Sequence, residues 1–120
     1  PLVTVVCSCF NHQNFLEDAL YSVLQQTYPN VQIIVIDDAS TDNSWEVIQK
    51  VQQTNPLIEI YQNSKNLGIT KSFNSHFSKV NGVYYMDFAT DDVLNVNTIE
   101  LLVNEIGKHP ENVGFVFGKN

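Results

Sequence analysis

The chain contains no arginine, and its 6 lysines are outnumbered by 13 acids, giving a formal charge of −7 over 120 residues. A phosphate-backbone footprint needs clustered basic side chains, so nucleic acid is excluded as a partner and a cation is the favoured companion. No apolar run reaches the roughly 20 residues a membrane-spanning helix needs. The two cysteines, Cys7 and Cys9, stand two apart with no further Cys or nearby His to complete a metal-ligand set, so they read as reduced, core-side thiols in a cytosolic setting. Neither G-x-G-x-x-G after the first strand nor G-x-x-x-x-G-K-[ST] occurs, which removes the usual glycine-rich devices for holding phosphate. An initiator Met, a charged leader and a signal-peptide pattern are also missing. The opening residues already read as a strand and the closing ones as a strand just begun, so residues 1–120 are expected to be one domain, the N-terminal piece of a longer chain.

What is present is focused negative charge. Six of the seven aspartates fall in two places, Asp37, Asp38 and Asp42 in one and Asp87, Asp91 and Asp92 in the other. An apolar, β-rich run leads into each group: Val31–Ile36 into Asp37-Asp38, and the run from Val83, with Asp87 inside it, into Asp91-Asp92. Similar strands are expected over Val3–Ser8, Leu57–Gln62 and Val113–Phe117. Between them, helical spacing joins Leu16, Ala19, Leu20, Val23 and Leu24, then Trp45, Ile48 and Val51, then Ile69, Phe73, His76, Phe77 and Val80, then Ile99, Leu102, Val103 and Ile106. Asn14 with Glu17, and Asn97 with Glu100, have the spacing of capping boxes, and Tyr28-Pro29-Asn30 is expected to close the first helix. The order β-α-β-α-β-α-β-α-β predicts a Rossmann-like α/β fold of three layers, a mostly parallel sheet with helices on both faces.

In such a sheet the loops after the strands share one rim, so Ser8–Asn11, Asp37–Asp42, Asn63–Gly68 and Ala89–Asp92 should converge. Carboxylates brought together in this way repel unless they protonate or hold a cation, and hard oxygen ligands favour Mg²⁺ or Mn²⁺. Since Mg²⁺ is usually held by one or two carboxylates plus substrate phosphates, a phosphorylated ligand is implied. Blander roles compete for several residues. Asp42 reads as a helix cap, Asp87 as structural or a strand-end solvent contact, His76 as a satisfied, partly buried core residue and His109 as a charge complement at a helix end. Lys71 could reach a phosphate but reads better as a solvated surface lysine. His12 lies nearer the crevice and has no partner that the sequence identifies.

Five segments in register resemble the nucleotide-binding half of a family-2 glycosyltransferase with the GT-A fold. They are Val5-Val6-Cys7-Ser8-Cys9-Phe10-Asn11; Gln25-Gln26-Thr27-Tyr28-Pro29-Asn30-Val31, similar to a Q-T-Y-P-N turn; and Ile36-Asp37-Asp38-Ala39-Ser40-Thr41-Asp42, similar to D-D-G-S-T-D. The others are Asn66-Leu67-Gly68 with Asn74, and Ala89-Thr90-Asp91-Asp92, where the metal motif falls. The resemblance implies an inverting transferase that moves a sugar from a nucleoside-diphosphate donor, a UDP-sugar by preference, to a carbohydrate or lipid-linked hydroxyl in cell-wall or surface polysaccharide synthesis. It implies Phe10 stacked on the base, backbone near Ser8 and Asn11 beside it, Asp38 on the base or ribose edge with Asp37 supporting, Gly68 at the nucleotide and Asp91 near the ribose or sugar. Asp92, with Asp91, would hold Mn²⁺ or Mg²⁺. Ala89 stands where the family often has Asp, and Ala39 where Gly is common. The general base is expected beyond Asn120, and the whole protein is expected in the cytoplasm, at the inner face of the membrane. Two other classes fit parts of the pattern. A receiver-like signalling domain shares the size and acidity and a lysine near the last strand, Lys119, but carries its acidic pair after the first strand. A non-catalytic nucleotide- or carbohydrate-binding module would be a relative that had lost its chemistry.

Overall fold

A computed structural model describes residues 1–108 and 116–117; the expectations for His109, Lys119 and the start of the last strand lie outside them. Five parallel strands, β1 (Val3–Cys9), β2 (Val31–Asp37), β3 (Glu59–Gln62), β4 (Tyr84–Ala89) and β5 (Val116–Phe117), form one sheet in the order β3-β2-β1-β4-β5. Four helices, α1 (Leu16–Leu24), α2 (Ser44–Thr54), α3 (Ile69–His76) and α4 (Thr98–Lys108), fill the crossovers. The chain steps outward from β1 to β3, then returns to the other side of β1 for β4 and β5. The switch point therefore lies between β1 and β4.

Strand alternation sorts the core. Val3, Val5, Cys7 and Cys9 face one side, where Leu16, Leu20, Val23, Ile48, Val51 and Ile99 of three helices bury them. On the other side, Val6, Ile34 and Ile36 pack against Tyr61, Phe73 and Val80, beneath α3 alone. Full burial of each such aliphatic side chain is worth roughly 1.5–3 kcal/mol, so the β1–β2 centre dominates the stability. Both cysteines are buried free thiols whose pKa burial pushes up.

The helix ends differ from their sequence pattern. No side-chain capping bond forms at the start of α1; the His12 carbonyl instead accepts the Phe15 and Leu16 N–H groups, and Glu17 and Asp18 complement the dipole of the first turn. The helix stops at Leu24, before Tyr28-Pro29-Asn30. At α4, Glu100 accepts the Thr27 hydroxyl (2.8 Å), and the Ile99 N–H goes to Gln26 Oε1 (2.9 Å). A distant glutamine thus takes the place of the local Asn97/Glu100 cap. The stripe expected on α3 is only half covered: Ile69 and Phe77 are exposed, and Phe77 begins a 3₁₀ turn. Gly82 is required by close approach, since a Cβ there would lie 2.5 Å from the Tyr84 carbonyl oxygen.

Candidate donor-binding crevice

All four polar loops meet at the C-terminal rim of the sheet, each tied to another by hydrogen bonds. Asn11, at φ 57°, turns its side chain over the first acidic loop, and its Oδ1 accepts the N–H groups of Thr41 (2.8 Å) and Asp42 (3.3 Å). The Asn11 N–H in turn donates to Ser40 Oγ. Left-handed backbone is tolerable for Asn but costs roughly 1–2 kcal/mol for Ala, and Ala39 (φ 60°) occupies it in the same loop.

Asp37 and Asp38 in this loop do different work. Asp37 is fully buried and accepts the hydroxyl and the N–H of Ser40, so it supports the turn. Asp38 accepts the Leu67 N–H (2.8 Å), the Gly68 N–H (2.9 Å) and the Asn63 amide (2.9 Å). Its partial burial works to raise its pKa, but these three donors outweigh that and hold it below the ordinary carboxylate value. Its carboxylate therefore latches the β3–α3 loop, with Gly68 (φ 84°) in a backbone shape that only glycine adopts readily. Asn63 continues outward to Ser72 Oγ (2.8 Å), and its Oδ1 accepts from His76 Nε2 (2.9 Å). His76 is thus satisfied on one nitrogen only, because the buried Nδ1 has no partner; burial, and secondarily Lys79, push its pKa down.

Asp42 stands one residue before Asn43, the N-cap of α2, which makes no side-chain capping bond; Asp42 Oδ1 accepts the N–H of Ser44, the first helical residue (2.9 Å), and its Oδ2 the Gln13 N–H (3.2 Å). Of the two roles expected for Asp87, the structural one fits its position and the solvent contact does not. It sits within β4, level with Val6, its Oδ1 buried without a partner, and burial pushes its pKa up. Lys71 is a surface lysine.

At the switch point, Thr90 binds the Ser8 carbonyl through both its N–H and its hydroxyl (3.1 Å each) and lies 2.9 Å from His12 Nδ1. His12 Nε2 faces Asp91 Oδ2 at 3.8 Å. Asp91 is half exposed, and Asp92 uses Oδ1 to accept the Val93 N–H (2.8 Å), which leaves Oδ2 for another partner. Phe10 stands exposed on the adjoining loop. The rim thus gathers Ser8, Phe10, Asn11, Asp37, Asp38, Gly68, Asp91 and Asp92. Of these, Asn11, Asp37 and Asp38 brace loops, whereas Phe10 and Asp91 present free surface. Sequence reading passed over Asn63, Thr90 and the partner of His12. Asn63 carries a faint signal, as an amide directly after a strand, while the other two depend on which strands are neighbours. Among the described residues, no three or more His, Cys, Asp or Glu side chains are grouped to hold an ion.

A parallel sheet whose acidic and aromatic loops flank the switch point has the arrangement in which open α/β domains bind ligands, outside the carboxyl ends of the strands. In the receiver-like arrangement the strand order is 2-1-3-4-5; here it is 3-2-1-4-5, and the acidic pair follows β2, so that reading is ruled out. Residues 4–120 match glycosyl transferase family 2, and the chain belongs to that family. It is 31% identical over 109 residues to an uncharacterised glycosyltransferase of Haemophilus influenzae, covering 91% of this chain and 34% of that protein. It is 32% identical over 108 residues to the chondroitin synthase of Pasteurella multocida, covering 90% of this chain and 11% of the synthase. The chain therefore spans about a third or less of these relatives. Among solved structures, S. aureus TarS 1–349 in complex with UDP superposes with a TM-score of 0.80 at 22% identity, over 92% of this chain and 33% of that one. The mannosyltransferase PcManGT of Pyrobaculum calidifontis, in complex with GDP-Man and Mn²⁺, gives 0.81 at 22% identity, over 88% and 32%. The fold is that of GT-A glycosyltransferases.

Proposed function

We propose that this chain is the donor-binding part of an inverting glycosyltransferase that takes a sugar from a nucleoside-diphosphate sugar, a UDP-sugar by preference, to a hydroxyl of a carbohydrate or lipid-linked acceptor. The single observation that carries the reading is the convergence of Phe10, Asp38 and the Asp91-Asp92 pair on one rim at the β1/β4 switch point. Membership of the family and the UDP and GDP-Man complexes of fold relatives support it. Synthesis of surface polysaccharide is supported by a likeness to the putative teichuronic acid glycosyltransferase TuaG of Bacillus subtilis, 28% identical over 100 residues and covering 83% of this chain and 40% of that protein. For the whole protein, a cytoplasmic site of action at the inner membrane face fits use of a nucleotide donor; no helix among the described residues is long and apolar enough to cross a membrane.

Exposed Phe10 is the stacking platform for the base. Asp38, already latched to Leu67 and Gly68, offers its remaining lone pair to the base or ribose edge, while Ser8 and Asn11 fix the backbone beside it. Asp91 and Asp92 fit a Mn²⁺ or Mg²⁺ ion, because both keep carboxylate oxygens without protein donors and such ions take one or two carboxylates plus substrate phosphates. When bound, the metal supplies charge stabilisation for the departing nucleoside diphosphate. The base that activates the acceptor hydroxyl is assigned to sequence outside these 120 residues.

The test is thermal. UDP should raise the melting temperature of the chain when Mn²⁺ or Mg²⁺ is present, and Asp92→Asn should remove most of the metal-dependent part. An unchanged melting curve with UDP, GDP and dTDP in the presence of metal would overturn the donor-site reading. Binding without any transferase activity in the full-length protein would instead favour a non-catalytic module.

A further inference from the structure

The start, middle and end of α3 all lean on one pair of side chains, Asp38 and Asn63. Gly68, Ser72 and His76 stand at i, i+4 and i+8, the spacing that places residues on one face of a helix. The Gly68 N–H donates to Asp38 Oδ2 (2.9 Å), Ser72 Oγ accepts from Asn63 Nδ2 (2.8 Å), and His76 Nε2 lies 2.9 Å from Asn63 Oδ1. The sense of this chain is forced. A carboxylate only accepts, and its three donors keep Asp38 ionised, so Asn63 turns its NH₂ toward Asp38 Oδ1 (2.9 Å) and its carbonyl oxygen toward His76. His76 Nε2 must therefore carry a proton, in the neutral ring and the charged ring alike. The ring is held against Tyr61, with centroids 5.1 Å apart, and the Tyr61 hydroxyl is itself tied to Glu59 (3.2 Å). Without a donor at Nε2, the Asn63 amide would be free to turn over and set its oxygen against Asp38 Oδ1, two acceptors in contact.

Resting on the donor-site reading above, we propose that His76 is a positioning residue for the donor nucleotide: by fixing the sense of the Asn63 amide it aims the Asp38 carboxylate, and with it the Leu67–Gly68 loop, at the ligand. His76 closes α3 at the end away from Gly68 and the rim, so it acts through Asn63 and not by contact. Its other nitrogen, Nδ1, is buried with no partner among the described residues, which makes the Asn63 bond the polar contact that orients the ring. A histidine that merely filled space beneath the helix would have no need of that bond. Here the bond completes a line of hydrogen bonds that ends on the carboxylate facing the crevice.

Calorimetric titration with UDP-glucose and Mg²⁺ tests this in the unchanged chain, His76→Phe and His76→Gln, beside NMR spectra of the Asn63 side-chain amide. Phenylalanine keeps a ring against Tyr61 but has no proton to donate, whereas the glutamine NH₂ can stand near the Nε2 position. The expected result is binding about fivefold weaker in His76→Phe and restored to within about twofold in His76→Gln. The two Asn63 amide protons, held by Asp38 and Ser72, should exchange slowly with water in the unchanged chain and in His76→Gln, and faster in His76→Phe. Their resonances should also move when UDP-glucose binds the unchanged chain. Undiminished affinity in a folded His76→Phe, or no recovery in a folded His76→Gln whose Asn63 protons are protected, would overturn the positioning role and leave the donor site standing. Should His76→Phe fail to fold, the unchanged chain decides, since Asn63 resonances unmoved by bound UDP-glucose would overturn the role equally. Failure of both UDP-glucose and GDP-mannose to bind the unchanged chain would overturn the donor site and this inference together.

Discussion

Asp38 illustrates how one residue can be occupied twice. Its carboxylate accepts two backbone N–H groups and one amide, and bonds of this kind to a charged acceptor are worth more than neutral ones, roughly 1.5–3 kcal/mol each. Asp38→Asn keeps the shape but loses the charge and turns an NH₂ group toward donors. It is expected to destabilise the chain by about 2–3 kcal/mol in urea unfolding and to weaken UDP binding, because the Leu67–Gly68 loop loses its latch. Two residues away from Asp37, Ala39 offers the opposite opportunity. Its left-handed backbone strains an alanine but not a glycine, and the gain is partly offset by the extra chain entropy of glycine, so Ala39→Gly should stabilise by about 0.5–1 kcal/mol. A lowered denaturation midpoint for this variant would contradict the strain. At this scale the sequence showed which side chains carry charge, but not that Asn11, Asp37 and Asp38 spend theirs on neighbouring loops.

Among the elements, the junction of α1 and α4 explains the turn Gln25–Asn30. Gln26 donates to the carbonyls of Ser22 (3.0 Å) and Asn95 (2.5 Å) and accepts the Ile99 N–H, while Thr27 binds Val96 through its backbone and Glu100 through its hydroxyl. A six-residue turn thereby pins the start of α4, and with it the loop that descends from Asp92. Gln26→Ala should cost about 1–2 kcal/mol and speed hydrogen exchange at the Ile99 amide selectively, leaving the β1 amides protected. Uniform loss of protection would mean that the contact is not local. The order of helices and strands was legible because their apolar periods are clear. Cap assignments at Asn14 and Asn97 failed because a tertiary donor or acceptor was available and a local side chain was not required.

For the whole molecule, the buried titratable groups set a pH profile with opposing limbs. Asp38 and Asp42 have lowered pKa values in the folded state, for Asp42 despite some burial, through Ser44 and Gln13, so the stability they add is present at neutral pH and is lost as pH falls through the acid range below 3.8. His76 also has a lowered value; the unfolded chain therefore binds its proton more readily, and stability falls as pH drops below about 6.5. Asp87 acts in reverse, since burial raises its value, and its contribution is lost as pH rises above 3.8. Denaturation midpoints from pH 7 to pH 5 should therefore decline in the unchanged protein, and His76→Gln should flatten that decline. An identical slope in the variant would exclude His76 as its source.

The sequence by itself determined the elements and the class: β-branched runs closing on aspartates, helices at regular spacing, and a family-2 signature across nearly the whole chain. These follow from local periodicity and from residue types at fixed spacing, which a linear reading preserves. Tertiary structure alone decided that β4 pairs with β1 rather than with β3, which brings Thr90 and Asp91 to His12 across 78 and 79 residues of chain. The physical reason is that strand neighbourhood is set by the packing of both sheet faces and by crossover geometry, quantities that no single segment contains.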